Sequence, residues 1–265
     1  MRESEPFVDI HCHLLPNVDD GAASWAETLA MARLAVADGF STVVATPHQL
    51  TNFVHVPIET IRVRAAETTR FLADQNVPLV VRAGAEVHLG ANTLSCWQAG
   101  YLLSLGEHER HLLVELPFES HFPFDDLLGV LRERQIVPIM AHPERNRALL
   151  AEPRHVADLV SQGVLMQLTA GSLTGSFGPD VQAFAEQLLA DGLVHFVSTD
   201  AHGPRVRPPL MRAAFERVCE LAGWRTATDL CCRHGTHVAD GGQITVDSVR
   251  KRRRVFAWWP RRKAA

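Results

Sequence analysis

Residues 7–13, Phe7-Val8-Asp9-Ile10-His11-Cys12-His13, read as a strand (Phe7–Ile10) that runs out into two histidines one residue apart. In extended backbone alternate side chains point the same way, so His11 and His13 face one point while Cys12 turns away into packing. The chain repeats this opening. Thr42–Ala45, Leu79–Ala83, Leu112–Val114, Ile136–Met140, Leu165–Leu168 and Val194–Ser198 read as six further strands, which predicts seven in all. Between them Trp25–Asp38, Ile58–Gln75, Asp125–Arg134, His155–Gln162 and Val181–Asp191 have helical apolar spacing, with Gly39, Gly163 and Gly192 as stops. Strand and helix in alternation imply a parallel sheet. A chain of 265 residues favours closure into an α/β barrel over an open doubly wound sheet.

Metal-competent residues stand at or just beyond the ends of the strands. After His11 and His13 come Thr46-Pro47-His48, Gly84-Ala85-Glu86, Glu115, His142-Pro143-Glu144-Arg145-Asn146 and Asp200-Ala201-His202. In a barrel the C-terminal strand ends converge on one mouth, so these side chains are expected to meet there as a metal cluster. Imidazole and carboxylate donors without thiolate suit Mn, Zn or Fe better than Ca or Mg, and Glu86 can bridge two ions. Such ions hold a water as hydroxide near neutral pH, in line with phosphorus, and neutralise phosphoryl charge. Arg145 and Arg207 stand on the same loops, where their bidentate donors match a phosphate edge. The other nine of the fourteen histidines, His88, His108, His111 and His195 among them, lack this placement and read as structural.

Composition narrows the class. With 46% hydrophobic and 21% charged residues the chain suits a globular protein. The opening Met1–Phe7 carries acids and no apolar core of a signal peptide, and no stretch of about 20 apolar residues follows, so a cytoplasmic location is expected. Five cysteines without C-x-x-C spacing predict no disulfide. Of the basic residues, eight lie in Arg250–Lys263, so the net charge of -4 conceals a more acidic body, which argues against nucleic acid.

Taken together, the motifs resemble the PHP (polymerase and histidinol phosphatase) superfamily. Asp9-Ile10-His11-Cys12-His13, Val18-Asp19-Asp20-Gly21, Ala45-Thr46-Pro47-His48, Gly84-Ala85-Glu86, His142-Pro143-Glu144-Arg145-Asn146, Ala170-Gly171-Ser172-Leu173 and Asp200-Ala201-His202 with Arg207-Pro208-Pro209 look like the bacterial manganese-dependent tyrosine phosphatases of capsule and exopolysaccharide loci, the CpsB/CapC type. The resemblance runs from about residue 7 to 245. It implies a distorted (β/α)7 TIM-like barrel over residues 1–245; the basic, Trp-containing tail over 246–265 departs from the family, which usually stops soon after the segment matching His234–Ile244. It further implies three divalent ions, Mn first, then Fe or Zn. By matching motif positions, His11, His13, Glu86 and Asp200 would hold the first, Glu86, Glu115 and His142 the second, and Asp20, His48 and His202 the third. Arg145 and Arg207 would hold the phosphate, and with Asp20 and His48 make the expected catalytic set. The implied substrate is the phosphotyrosine tail of a bacterial tyrosine autokinase that regulates polysaccharide export.

The sequence leaves three rival readings. Cys219-Glu220-Leu221-Ala222-Gly223-Trp224-Arg225 satisfies C-x5-R, the motif of cysteine phosphatases, but Met211–Glu220 before it is helical in pattern, whereas a thiolate phosphate loop needs a strand. The same metal site could instead serve a small phosphomonoester, histidinol phosphate or a nucleotide. A non-catalytic module would show missing ligands, and none is missing. The tail Arg250–Lys263, with Phe256, Trp258 and Trp259 interleaved, reads either as a solvated charged extension or as a segment that rests on anionic lipid and brings the protein peripherally to a membrane.

Overall fold

The computed structural model describes residues 5–50, 56–120 and 123–246. The tail Arg250–Lys263 lies outside the described residues. The elements in order are β1 (Phe7–Cys12), α1 (Trp25–Asp38), β2 (Phe40–Ala45), β3 (His48–Gln49), α2 (Ile58–Asp74), β4 (Val80–Ala83), β5 (Glu86–His88), α3 (Thr93–Gln98), β6 (His111–Glu115), α4 (Asp125–Glu133), β7 (Val137–Ala141), α5 (Arg147–Ala151), α6 (Arg154–Ser161), β8 (Leu165–Thr169), α7 (Ala170–Leu173), α8 (Pro179–Ala190), β9 (Phe196–Ser198), α9 (Arg212–Ala222), α10 (Trp224–Thr228) and α11 (His234–Ala239).

All the strand pairs are parallel, in two sheets ordered β1-β2-β4 and β3-β5-β6-β7-β8-β9. The seven predicted strands are all present, but two of the barrel's staves are broken in the middle. Across the break after β2 the stave keeps the same neighbours: Thr46 N donates to Cys12 O at 2.9 Å, Pro47 O accepts from Glu86 N at 3.2 Å, and β3 pairs with β5 as β2 does with β4. β4 breaks likewise at Gly84, where a Cβ would lie 2.8 Å from Val44 Cγ1. The ring closes between the last stave and the first: Asp200 N donates to His11 O at 2.8 Å, His13 N to Ala201 O at 2.9 Å, and Cys12 bridges Ala201 in parallel register.

A parallel sheet is covered on both faces, and β1 is buried throughout its length. Val8, Ile10 and Cys12 join the apolar core with Val43, Leu113, Ile139 and Leu168, while Asp9 and His11, facing the other way, are also wholly buried. α1 shows how local signals set an element. The Ser24 side chain accepts from Glu27 N at 3.2 Å and Glu27 answers by accepting from Ala23 N at 2.9 Å, a reciprocal N-terminal cap worth about 1 kcal/mol. At its other end Gly39, at φ 114°, turns the chain directly into β2. Among the described residues no helix is long and apolar enough to cross a membrane.

Candidate metal centre

The strand ends meet as expected. His11 Nε2 lies 3.3 Å from both Glu86 Oε2 and Asp200 Oδ1, His13 Nε2 lies 3.5 Å from the same two oxygens, and the two nitrogens are 3.4 Å apart. Five separations of 3.3–3.5 Å are of the size kept by donor atoms that share a cation at bond lengths of about 2.1 Å. Each imidazole is held by its far nitrogen. His11 Nδ1 pairs with Gln167 Oε1 at 2.9 Å and His13 Nδ1 with Asp19 Oδ2 at 2.6 Å, which leaves each Nε2 lone pair facing the cage.

Glu86 extends the group through its second oxygen. Oε1 lies 3.0 Å from His142 Nε2, which is in turn 3.6 Å from Glu115 Oε1. At the outer rim Asp20 Oδ1 is 3.4 Å from His48 Nε2 and 3.5 Å from His202 Nε2, and His202 Nδ1 is anchored on Asp200 O at 3.0 Å. All nine predicted ligands fall into four overlapping sets whose donor atoms lie within 4.8 Å: His13, Asp20, His48 and His202; His11, His142 and Asp200; His11, His13 and Glu86; His48, Glu86 and Glu115. His13 thus also borders the rim group, and His142 also borders the first cage.

The electrostatics suit cations. Burial alone would lower His11, but the carboxylates of Glu86 and Asp200 override it and pull its pKa up to about 9. The same partners act in reverse on the acids: burial would raise Glu86 and Asp200, yet the surrounding histidines, with Arg207 beside Asp200, hold both well below the usual carboxylate range. His202 is pushed down to about 3, by burial first and then by the charge of His13. His48 Nδ1 is buried 3.0 Å from Glu86 Oε2 without hydrogen-bond geometry. An orphaned imidazole nitrogen beside a carboxylate, among imidazole and carboxylate donors a few ångströms apart, fits divalent metal.

Beside the cage, Arg145 Nη1 and Arg207 Nη2 both donate to Asp200 Oδ2, the oxygen that faces away from His11 and His13. Arg207 Nε is buried and makes no hydrogen bond within the described residues. His142, Asp200 and Arg207 have φ of 30°, 50° and 53°, a region that residues with a Cβ seldom occupy and that marks sites where geometry is imposed.

Sequence reading passed over several residues. Asp19, beside Asp20 in the same motif, has a carboxylate that accepts from His13, from Gly21 N at 3.1 Å and from His48 N at 3.1 Å. Gly21 follows from close approach, since a Cβ there would lie 2.2 Å from His13 O. His88 Nδ1 lies 3.2 Å from Glu115 Oε2 and steadies it, which corrects the purely structural role expected of His88. Gln167, a polar residue inside an apolar strand, was the clearest signal missed. The C-x5-R alternative finds no support: Cys219 lies in α9, Arg225 in α10 beyond Gly223, and burial, with Glu216 nearby, pushes the thiol up rather than towards thiolate.

The family model for capsular polysaccharide synthesis, CpsB/CapC, matches residues 7–239. The chain belongs to the CpsB/CapC family. Within that family it is 37% identical over 203 residues to the tyrosine-protein phosphatase YwqE of Bacillus subtilis (strain 168), spanning 76% of this chain and 79% of that one. It superposes with a TM-score of 0.83 and 33% identity on a crystal structure from work on YwqE and CpsB of Streptococcus pneumoniae, described as unique metal-dependent tyrosine phosphatases, covering 89% of this chain and 96% of that one. The lactonase Lmo2620 from Listeria monocytogenes shares the fold alone, at a TM-score of 0.57 and 11% identity over 89% of this chain and 95% of that one. The CpsB/CapC barrel expected from the motifs is thus the barrel found.

Proposed function

We propose that this chain is a divalent-metal-dependent phosphatase acting on phosphotyrosine in protein. Asp200 carries the reading. Its Oδ1 stands 3.3 and 3.5 Å from the ligand nitrogens of His11 and His13, while its Oδ2 accepts from Arg145 and Arg207, so a cation site and an anion-holding pair of guanidiniums share one carboxylate. That adjacency is what a phosphomonoester needs. Family membership, and the names of the relatives, support tyrosine as the alcohol.

In this reading His11, His13, Glu86 and Asp200 hold one ion, Glu86, Glu115 and His142 a second, and Asp20, His48 and His202 a third, manganese in each. Bound cations supply Lewis acidity, lowering the pKa of water towards neutrality and offsetting phosphoryl charge. The chain's own residues do the rest. Arg145 and Arg207 take the phosphoryl oxygens and orient the ester, while Asp20 and His48 stand at the rim where it enters. The proposed partner is the phosphotyrosine tail of a tyrosine autokinase that regulates polysaccharide export. Arg250–Lys263 would rest on the anionic membrane surface beside it.

Metal-stripped protein reloaded with Mn, Fe or Zn should hydrolyse a phosphotyrosine peptide well above a phosphoserine peptide and histidinol phosphate, and manganese should support the highest rate. Preference for histidinol phosphate would move the chain to the small-molecule reading, and no hydrolysis with any ion would overturn the enzyme assignment.

A further inference from the structure

The segment Ala170-Gly171-Ser172-Leu173-Thr174-Gly175-Ser176-Phe177-Gly178 follows β8 and contains none of the ligands or arginines named so far. It nevertheless grips the arginine loop twice. Glu144, wholly buried next to Arg145, accepts from Thr169 N at 2.9 Å and from Ser172 Oγ at 2.7 Å. Further along, the ring of Phe177 lies under both guanidiniums, with its centroid 4.5 Å from Arg145 Cζ and 6.0 Å from Arg207 Cζ.

The backbone is shaped to seat that ring. Gly175 and Gly178 have φ of 83° and 92°, and a Cβ on Gly171 would lie 3.1 Å from Phe177 Cε2. Phe177 is half-buried and does not belong to the apolar residues packed on the main core. Its neighbours of note are two cations.

We propose that Phe177 is a positioning residue that presents Arg145 and Arg207 as a preset pair to the phosphoryl group. This rests on the phosphatase reading. Two guanidiniums on one carboxylate oxygen repel each other, and Asp200 supplies one negative charge between them. The negative face of an aromatic ring attracts both without using a hydrogen bond. Donors are thereby left for the oxyanion, among them Arg207 Nε, buried and without a hydrogen-bond partner among the described residues. A ring contact is also indifferent to whether the arginines are bonded to Asp200 or to phosphate, so it holds them in place as one acceptor replaces the other.

The test compares Phe177→Leu, which keeps bulk and removes the ring, with Phe177→Trp, which keeps a ring face. All are full-length, metal-loaded proteins. Calorimetric binding of inorganic phosphate reads the arginines without turnover, and KM and kcat are taken on a phosphotyrosine peptide. In Phe177→Leu the phosphate affinity should fall and KM rise by about tenfold, with kcat within about threefold and metal content unchanged. Phe177→Trp should return both to within about twofold of the parent. Unchanged phosphate binding in Phe177→Leu, equal damage in the Leu and Trp proteins, or loss of bound metal in Phe177→Leu would each overturn the inference. A parent that binds phosphate through this ring yet hydrolyses no phosphoester would sink the phosphatase reading instead, so the two failures are separable.

Discussion

Asp19 joins two ligand loops through one carboxylate. One oxygen takes His13 Nδ1 at 2.6 Å and His48 N at 3.1 Å, and the other takes Gly21 N at 3.1 Å, the turn that carries Asp20. Burial would raise its pKa, but His13 overrides this and brings it to about 2, so it is an anion at every working pH. An anion behind an imidazole fixes its tautomer and strengthens its free nitrogen as a donor, an effect worth about 10- to 100-fold in metal affinity. Asp19→Asn should therefore weaken manganese binding by that factor, measured by competition with a chromogenic chelator, while kcat at saturating metal changes far less. Equal affinity in the two proteins would show that Asp19 merely fills space. Eight of the nine candidate ligands were legible because strand ends announce themselves along the chain; Asp20, on the loop after β1, came only from the motif resemblance. Asp19 and Gln167 were not legible, because each is defined by a partner: Gln167 meets His11 across 156 positions of sequence, and no local pattern tells a buried amide that orients a ligand from one that does not.

At the scale of elements, the five predicted helices were legible to within two residues at either end, while α3, α5, α7, α10 and α11 were not read. Trp25–Asp38 is observed as predicted, and Asp125–Arg134 becomes α4, Asp125–Glu133. Their caps and apolar spacing are local. The breaks in β2 and β4 were not foreseen, because an interruption within a stave is set by how it packs on the strands on either side rather than by its own residue pattern. β6 has a second function at its foot. There His111 Nε2 lies 3.2 Å from Ile244 O and 3.3 Å from Ile244 N, tying the segment after α11 across the lower end of the barrel. Burial pushes His111 from 6.5 down to about 4, with a smaller contribution from Arg110 and against the hydrogen bond to Ile244. The folded protein thus keeps this imidazole neutral where the unfolded chain protonates it. Its contribution is intact above the unfolded value and is lost as pH falls from about 6.5 to about 4, by up to about 3 kcal/mol. In urea unfolding of metal-free protein, His111→Gln should flatten the decline in stability between about pH 7 and pH 4.5 by roughly 2 kcal/mol. Parallel pH profiles for the two proteins would contradict that assignment.

Across the whole molecule, the mouth gathers His11, His13, Glu86 and Asp200, all essentially inaccessible to water, from the first, third and last staves of one ring. Closure of that ring depends on Asp200 N meeting His11 O, so the residues that bring the candidate ligands together are also those that shut the barrel. Cation binding and global unfolding are then linked by mass action. An ion bound only by the folded form adds about 2.7 kcal/mol at a hundredfold excess over Kd. For a chain of this size that corresponds to a rise in Tm of roughly 5–10 °C. Chelation should lower Tm by that amount, and readdition of manganese should restore it in proportion to the logarithm of its concentration. Asp200→Asn should reduce the response, because it removes a charge from the cage while leaving its shape. Calcium, which prefers more oxygen donors than these residues offer, should restore much less. A Tm indifferent to chelator and to manganese would mean that the cage of buried imidazoles and carboxylates is held together by its own ion pairs, and the metal assignment would fall with it.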